Sequence, residues 1–124
     1  MRKSHISSLD ARFRFTREER LKNRDRIQLL FKRGRAVSHS GVKLFLLENE
    51  LPINRIVFTF ARKYGNAVER NRSRRFSREV YRRLRPRLVT GFDMALLVYP
   101  GKDNYIGRSD QLHTLFKKAG LLIE

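Results

Sequence analysis

Apolar residues recur along the chain with the spacings of helices and strands. Ile27, Leu30 and Phe31 follow one another at i, i+3 and i+4, with Asn23 before them as a candidate N-cap. This spacing predicts a helix over residues 23–33.

Several apolar runs are typical of strands. Residues 42–48 and 55–61 form two such runs, and we expect residues 51–54 to join them as a hairpin connection. Residues 36–40 are expected to add a short edge strand. Residues 92–99 form the most apolar stretch, which indicates an interior strand buried on both faces.

A long helix is predicted from the capping-box pattern Asn66-Ala-Val-Glu69 to about Leu84, ahead of Pro86. At 3.6 residues per turn its positions separate into two arcs. The arc expected to pack on a sheet holds Ser73, Phe76, Ser77, Val80, Tyr81 and Leu84. The arc expected to face solvent holds Asn71, Arg72, Arg74, Arg75, Arg78 and Arg82.

A last helix is expected to begin at Ser109, its N-cap, and to end before Gly120. The resulting order, α-β-β-β-α-β-α, predicts a single α+β domain over residues 16–124, built as a two-layer sandwich. Residues 1–15 show no sustained pattern and are expected to form a mobile basic arm. The apolar face of the last helix holds Leu112, Leu115, Phe116 and Ala119.

The composition is that of one very basic, compact domain. The 124 residues include 29 Lys or Arg against 12 Asp or Glu, a formal net charge of +17, and 40% are hydrophobic. There is no cysteine, which excludes disulfides, thiol nucleophiles and cysteine zinc sites and fits a reducing cytoplasm. No apolar run approaches the ~18 residues of a membrane span, and no signal-peptide pattern is expected at the N-terminus.

The positive charge is concentrated in two blocks. Residues 1–35 hold 12 basic against 4 acidic side chains and residues 55–87 hold 12 against 2, whereas the rest of the chain is near neutral. Of the 29 basic residues 21 are arginine, whose planar fork of donors matches phosphate and stacks on bases. This bias favours nucleic acid as the partner. A solvated cationic face and a membrane surface are the weaker alternatives.

Residue types at catalytic spacings are missing from the sequence. His5, His39 and His113 lie far apart without carboxylates at metal-ligand spacing, so no metal site is expected. Asp93 lies inside the predicted interior strand, where an edge position or a hydrogen-bonded role is expected rather than catalysis, and Glu69 is explained as part of a helix cap. We therefore expect no catalytic residues and no reaction catalysed by the protein alone.

The most informative segment runs from residue 58 to residue 75. A strand ends in Arg62-Lys63, the chain turns at Gly65, and an arginine-rich helix follows, so that helix N-terminal amides and guanidinium groups face one anionic surface. Asn71 adds a donor and an acceptor that can orient this contact, although an incidental surface position is the alternative. The residues expected to bind RNA are Arg62, Lys63, Asn66, Arg70, Asn71, Arg72, Arg74, Arg75 and Arg78.

This segment resembles the signature of the bacterial ribonuclease P protein subunit, where a strand ending in Ser-Lys-Lys precedes Gly-Asn-Ala-Val-x-Arg-Asn-Arg-x-Lys-Arg. The resemblance extends over about residues 16–120, through Arg20-Leu21, the helix that ends at Gly34, and the strand Phe92–Pro100. It implies a four-stranded sheet with a left-handed βαβ crossover, as in one domain of a small-subunit ribosomal protein, against the usual right-handed rule. The matching motif positions are Gly65, Asn66, Ala67, Val68, Arg70, Asn71, Arg72, Arg74 and Arg75.

The resemblance implies a role beside a catalytic RNA. That RNA uses Mg²⁺ to remove the 5′ leader of precursor tRNA, and the protein binds the RNA through the arginine helix and lowers the magnesium requirement. It also holds the single-stranded leader in an aromatic cleft between the first helix and the sheet, as a monomer with one copy per RNA or in a larger assembly. The matching cleft positions are Ile27, Phe31, Lys43 and Phe45. The residues alone leave open that Phe31 and Phe45 are ordinary core.

Three positions depart from the family pattern. Ile27 stands where a Phe is usual, which removes one stacking ring from the cleft. Ala61 replaces a Ser before the basic pair and removes its hydroxyl. Ser73 replaces an aliphatic residue, which is expected to weaken the packing of the arginine helix.

Two other functions fit part of the pattern. A structural ribosomal protein would share the size and the arginine helix, but it needs no aromatic cleft for single strands. A metal-dependent protein nuclease would need several converging carboxylates, which the sequence does not offer.

Overall fold

The computed structural model describes residues 17–123, so the expected arm over residues 1–15 lies outside the described residues. The elements confirm the predicted α+β class, with three α-helices and four strands among the described residues. None of these helices is long and apolar enough to cross a membrane. In chain order the elements are a 3-10 turn (Arg17–Glu19), α1 (Arg24–Arg33), β1 (Arg35–His39), β2 (Val42–Glu48), β3 (Arg55–Phe60), α2 (Ala67–Leu84), a second 3-10 turn (Arg85–Arg87), β4 (Phe92–Val98) and α3 (Tyr105–Ala119).

The four strands form one mixed sheet in the order β1-β2-β4-β3. β1 and β2 form an antiparallel hairpin, and β4 pairs antiparallel with β2 and parallel with β3. The expected hairpin connection at residues 51–54 is therefore wrong, because β4 lies between β2 and β3. β4 is the most apolar strand and is buried on both faces, so it lies inside the sheet. Helix α2 connects β3 to β4 and allows β4 to lie between β2 and β3. The handedness of this crossover stays a prediction from the resemblance.

The main core lies between one face of the sheet and helices α2 and α3. Leu44, Leu96 and Phe58 contribute from the strands, and Tyr81 of α2 and Phe116 of α3 cover them. The Tyr81 ring lies 6.2 Å from the Phe58 ring and 6.1 Å from the Phe116 ring, between centroids. Burial of each such side chain is worth about 1.5–3 kcal/mol, which fixes α2 against the sheet.

Asparagine caps set where all three helices begin. Asn23 caps α1 and Asn66 caps α2 in a full capping box, as predicted. The expectation for α3 is wrong: its cap is Asn104, whose side chain accepts a hydrogen bond from the Gly107 amide at 2.7 Å. Ser109 lies one turn inside the helix, because Asn104 already supplies the cap hydrogen bond five residues earlier and the helix continues through Ser109.

Helix α1 packs on the opposite face of the sheet from α2 and α3. Leu30 is fully buried there with Leu21 and Ala95, and Ile27 packs beside them half-buried. The chain therefore places its two candidate binding elements, α1 and α2, on different faces of one sheet.

Candidate nucleic-acid interface

The turn between β3 and α2 carries two exposed cations, and hydrogen bonds fix its backbone conformation. Arg62 and Lys63 are exposed, and Lys63 has a φ of 68°, a left-handed conformation that is strained for a lysine. Arg70 of α2 reaches back and donates from Nη1 to the Gly65 carbonyl at 2.6 Å. Asn66 closes the turn as the α2 cap. Arg70 and Asn66, two residues predicted to bind RNA, therefore stabilise the conformation of this turn.

The outer face of α2 carries both exposed and anchored arginines. Arg72 and Arg75 are exposed, as predicted. Arg74 is half-buried, with its guanidinium carbon 5.1 Å from the centre of the Phe60 ring. Its Nη1 also donates to Asn71 Oδ1 at 3.0 Å. Asn71 therefore orients a guanidinium group on this face, in addition to being exposed itself.

A cluster of like charges lies along the β3 edge. Burial lowers the pKa of Arg78, and the positive charges of Arg20 and Arg74 lower it further. The sequence did not predict that Arg20 lies here, because its position depends on a tertiary contact. The amide of the next residue, Leu21, donates to the Ile56 carbonyl of β3 at 3.0 Å. Crowded guanidinium groups repel one another, and a bound phosphate would offset that repulsion.

The residues predicted for the aromatic cleft lie where the C-terminal end of α1 meets β2. The rings of Phe31 and Phe45 meet edge to face with centroids 4.8 Å apart, and Phe31 is 39% exposed. Lys43 Nζ lies 5.3 Å from the centre of the Phe45 ring. Phe31 is exposed, whereas Phe45 is half-buried and packs against the small core cluster of Leu21, Leu30 and Ala95. Both rings are therefore partly open, and their role in binding stays a prediction. Ile27 packs against the small cluster behind these rings.

The strand register shows which residues lie beside Phe45 on this face of the sheet. Residues in register on neighbouring strands point to the same face, so this face is built of rows. Phe31, near the end of α1, contacts the row that contains Phe45. The row with Phe45 is Ala36, Phe45, Ala95 and Val57, and the following row is Ser38, Lys43, Leu97 and Thr59.

A buried carboxylate fixes α1 to this face. Asp93 of β4 has no exposed side-chain surface and binds Arg26 of α1 and Arg55 of β3 at 2.7–2.8 Å. Asn49 donates to the same carboxylate at 2.9 Å. Of the two roles expected for Asp93, an edge position or a hydrogen-bonded one, the structure shows the second, since β4 lies inside the sheet. The two arginines were not identified, although a lone acid in an apolar strand signals that a cation must lie nearby.

A buried polar network lies where α2 and α3 meet, and it corrects one expectation. Ser73 is 1% exposed and donates to Asp103 Oδ2 at 3.0 Å, and Asp103 is ion-paired with Arg108, itself 1% exposed. Arg108 also donates to Ser77, and the Tyr64 hydroxyl donates to Asp103. Ser73 therefore does not simply weaken the packing of α2. Its hydroxyl donates to Asp103 and accepts from Arg108 of α3, so it takes part in the hydrogen bonds that tie α2 to α3.

Phe76 departs from its predicted place. It was expected in the core with Val80 and Tyr81, which are buried, but it is only half-buried. Its ring lies under the guanidinium group of Arg108, whose Cζ is 5.1 Å from the ring centre. The physical reason is the buried polar network: Arg108 occupies the space between α2 and α3 that an aromatic core residue would have filled.

The described residues contain no group of three or more His, Cys, Asp or Glu that could hold a metal ion. His39 lies 3.8 Å from Asp110, a surface carboxylate. Asp93 is enclosed by arginine side chains and leaves no open coordination position. His5 lies outside the described residues.

The fold and its surfaces define a small basic α+β protein with an arginine-rich helix on one side of a sheet and a half-open aromatic cleft on the other. A family model described as Ribonuclease P matches residues 15–120. The chain belongs to this ribonuclease P protein family.

Relatives and solved structures agree with this assignment. The chain is 42% identical over 77 residues to a ribonuclease P protein component of Natranaerobius thermophilus, covering 62% of this chain and 67% of the relative. It is 33% identical over 116 residues to that of Dictyoglomus thermophilum, covering 90% and 97%. An RNase P protein structure from Thermotoga maritima superposes with a TM-score of 0.71 at 27% identity, covering 81% of this chain and 96% of that one. These matches support a role in the ribonuclease P holoenzyme.

Proposed function

We propose that this chain binds the catalytic RNA of ribonuclease P and the 5′ leader of precursor tRNA, and so promotes the removal of that leader. The single observation that carries the proposal is the half-open pair of Phe31 and Phe45 with Lys43 above the second ring. Aromatic rings beside a cation suit a single strand, whose bases stack on the rings while its phosphates meet the charge.

The arginine surface supports the second contact. Arg72 and Arg75 are exposed on α2, and Arg62 and Lys63 are exposed on the turn before it. Because these four cations are exposed, they can contact phosphates without any buried group being opened to solvent. Contacts of this kind recognise the backbone of structured RNA. Because α1 and α2 lie on opposite faces of the sheet, the chain can bind two RNA segments at once.

Hydrolysis is assigned to the RNA partner in this proposal. Among the described residues no group of three or more His, Cys, Asp or Glu could hold a metal ion, so they give no support to hydrolysis by two protein-bound metal ions. Mg²⁺ would be held by the RNA and would supply the activated water there. The protein contributes binding and positioning, as a monomer with one copy per RNA or in a larger assembly, in the cytoplasm.

Reconstitution with a bacterial ribonuclease P RNA tests this function. At low Mg²⁺, addition of the protein is expected to raise cleavage of precursor tRNA at the 5′ end, and cleavage without the RNA is expected to be absent. A ribosomal-type RNA-binding protein would bind the RNA but would not distinguish precursor from mature tRNA. Equal affinity of the holoenzyme for both tRNAs would therefore favour that alternative. Cleavage by the protein alone would favour a nuclease.

A further inference from the structure

A cavity of about 460 Å³ opens on the surface where α2 and α3 begin. It lies beside the arginine face but is distinct from the aromatic cleft, which is on the other face of the sheet. Its volume is within the range that holds small ligands of nucleotide size. Its lining includes the side chains of Phe76, Arg72, Lys102, Glu69 and Asp103.

Phe76 gives the cavity an aromatic wall. The guanidinium group of Arg108 lies 5.1 Å from the ring centre, and since Arg108 is 1% exposed it packs on the protein side of the ring. The ring is half-buried and also lines the cavity, so part of it is open to a ligand. A cation behind an aromatic ring leaves the exposed side ready to stack on a flat group.

The charges of the cavity are divided between its rim and its floor. Arg72 and Lys102 are exposed and bring two positive charges to the rim. On the floor, the Asp103 carboxylate is ion-paired with Arg108. Glu69 Oε1 accepts the Asn66 amide at 2.9 Å and keeps further acceptor capacity for the amino group of a base.

We propose that this cavity binds one unstacked nucleotide of an RNA, with its base against Phe76 and its phosphate between Arg72 and Lys102. The proposal rests on the proposed function, because it requires that the chain bind RNA, and it adds a specific nucleotide pocket to the arginine surface. The flat ring, the two rim cations and the exposed Glu69 carboxylate match the base, the phosphate and the amino edge of a nucleotide.

A tryptophan at the cavity wall reports stacking directly. The chain contains no tryptophan, so Phe76→Trp introduces a single indole fluorophore. Titration with ribonuclease P RNA is expected to quench its fluorescence, in step with binding measured separately by filter retention. Tyr105→Trp is the matched control, because Tyr105 lies in the first turn of α3, 37% exposed and outside the lining. Binding without quenching at Phe76→Trp, or equal quenching at both positions, would overturn the proposal.

Affinity measurements separate stacking from support of the fold. Phe76→Leu keeps apolar contact with Arg108 but loses the ring, and it is expected to weaken RNA binding about 5- to 100-fold. Phe76→Tyr keeps the ring and is expected to remain within about twofold of the wild type. The slope of log K against log salt should be the same for all three proteins, because no phosphate contact changes. Equal affinity of the Leu and Tyr variants would refute the pocket, whereas failure of the wild type to bind RNA would refute the proposed function instead.

Discussion

Arg26 Nε lies 2.7 Å from Asp93 Oδ2, and this one contact joins the helix of the aromatic cleft to the most buried strand of the sheet. Arg26 also donates from Nη2 to the Glu48 carbonyl at 2.7 Å, so its guanidinium spans β2 and β4. The start of α1 is therefore held in place by charge, while its other end, at Phe31, remains half-open. A fixed helix with an open end is an arrangement suited to holding a strand between the helix and the sheet.

Loss of the Asp93 charge is expected to destabilise the fold in a pH-dependent way. Burial by itself raises the pKa of Asp93, but the hydrogen bonds from Arg55, Asn49 and Arg26 outweigh it, so the pKa lies below its ordinary value. A carboxylate with a lowered pKa stabilises the fold above its unfolded pKa, about 3.9, and this stabilisation is lost as the pH falls through the folded pKa. Asp93→Asn should therefore cost roughly 3–5 kcal/mol at pH 7.

Urea unfolding at pH 7, 4 and 3 measures this effect. The difference between wild type and Asp93→Asn is expected to shrink as the pH falls below about 4, because the wild type then loses the same charge. A difference that stays constant across this range would show that the contribution of Asp93 is not ionic.

Removal of exposed arginines is expected to change the salt dependence of RNA binding. Arg72 and Arg75 are exposed on α2, so their replacement by Ala should leave the melting temperature nearly unchanged. If each contacts one phosphate, the slope of log K against log salt should become shallower by about 1.5–2. Arg74 is less suitable for this test, because it also packs on Phe60. An unchanged slope in the double variant would contradict the assignment of α2.

Truncation of Phe45 is expected to act on precursor tRNA alone. A base stacked on an aromatic ring is worth ~1–3 kcal/mol, so Phe45→Ala should weaken binding of precursor tRNA to the holoenzyme roughly ten- to a hundred-fold. Mature tRNA lacks the leader, and its affinity should not change. Paired titrations with both tRNAs make the comparison. Equal losses for both ligands would show that Phe45 supports the fold and not the leader.

Enlargement of Ile27 is expected to act in the opposite direction. Ile27 packs half-buried beside the cleft, where an aromatic ring would add a stacking surface next to Phe45. Ile27→Phe should tighten precursor binding by up to ~1 kcal/mol. Ile27→Leu serves as the control, because it keeps the apolar contact without a ring. A gain in both variants would point to packing and not to stacking.

The Asp103 carboxylate is expected to be a major support of the junction between α2 and α3. Asp103→Ala leaves the buried Arg108 guanidinium without its ion pair, which should cost roughly 3–5 kcal/mol in urea unfolding. Asp110→Ala is the control, because it removes a carboxylate from α3 itself, the helix that carries Arg108. The Asp110 side chain is 77% exposed, so a change within about 0.5 kcal/mol is expected. Similar effects for both variants would mean that the network contributes little.

Local patterns in the sequence determined most of the elements and the chemistry they carry. Helical spacing with an asparagine cap predicted α1 and α2 almost to the residue, and the apolar run of β4 predicted an interior strand. The predicted arginines of α2 are exposed or half-buried, because helical periodicity alone decides which arc can enter a core. These features depend on residues within a turn or two of one another, so a single sequence contains the information.

Tertiary structure alone decided the features that join distant segments. The interior place of β4 ruled out a hairpin at residues 51–54, since strand order depends on which apolar surface is buried most completely. Phe76 left the core because Arg108, 32 positions later in the chain, brought a buried guanidinium group with its partners Asp103 and Ser77. A buried charge must find its hydrogen bonds wherever the fold places them, and no local pattern states where that is.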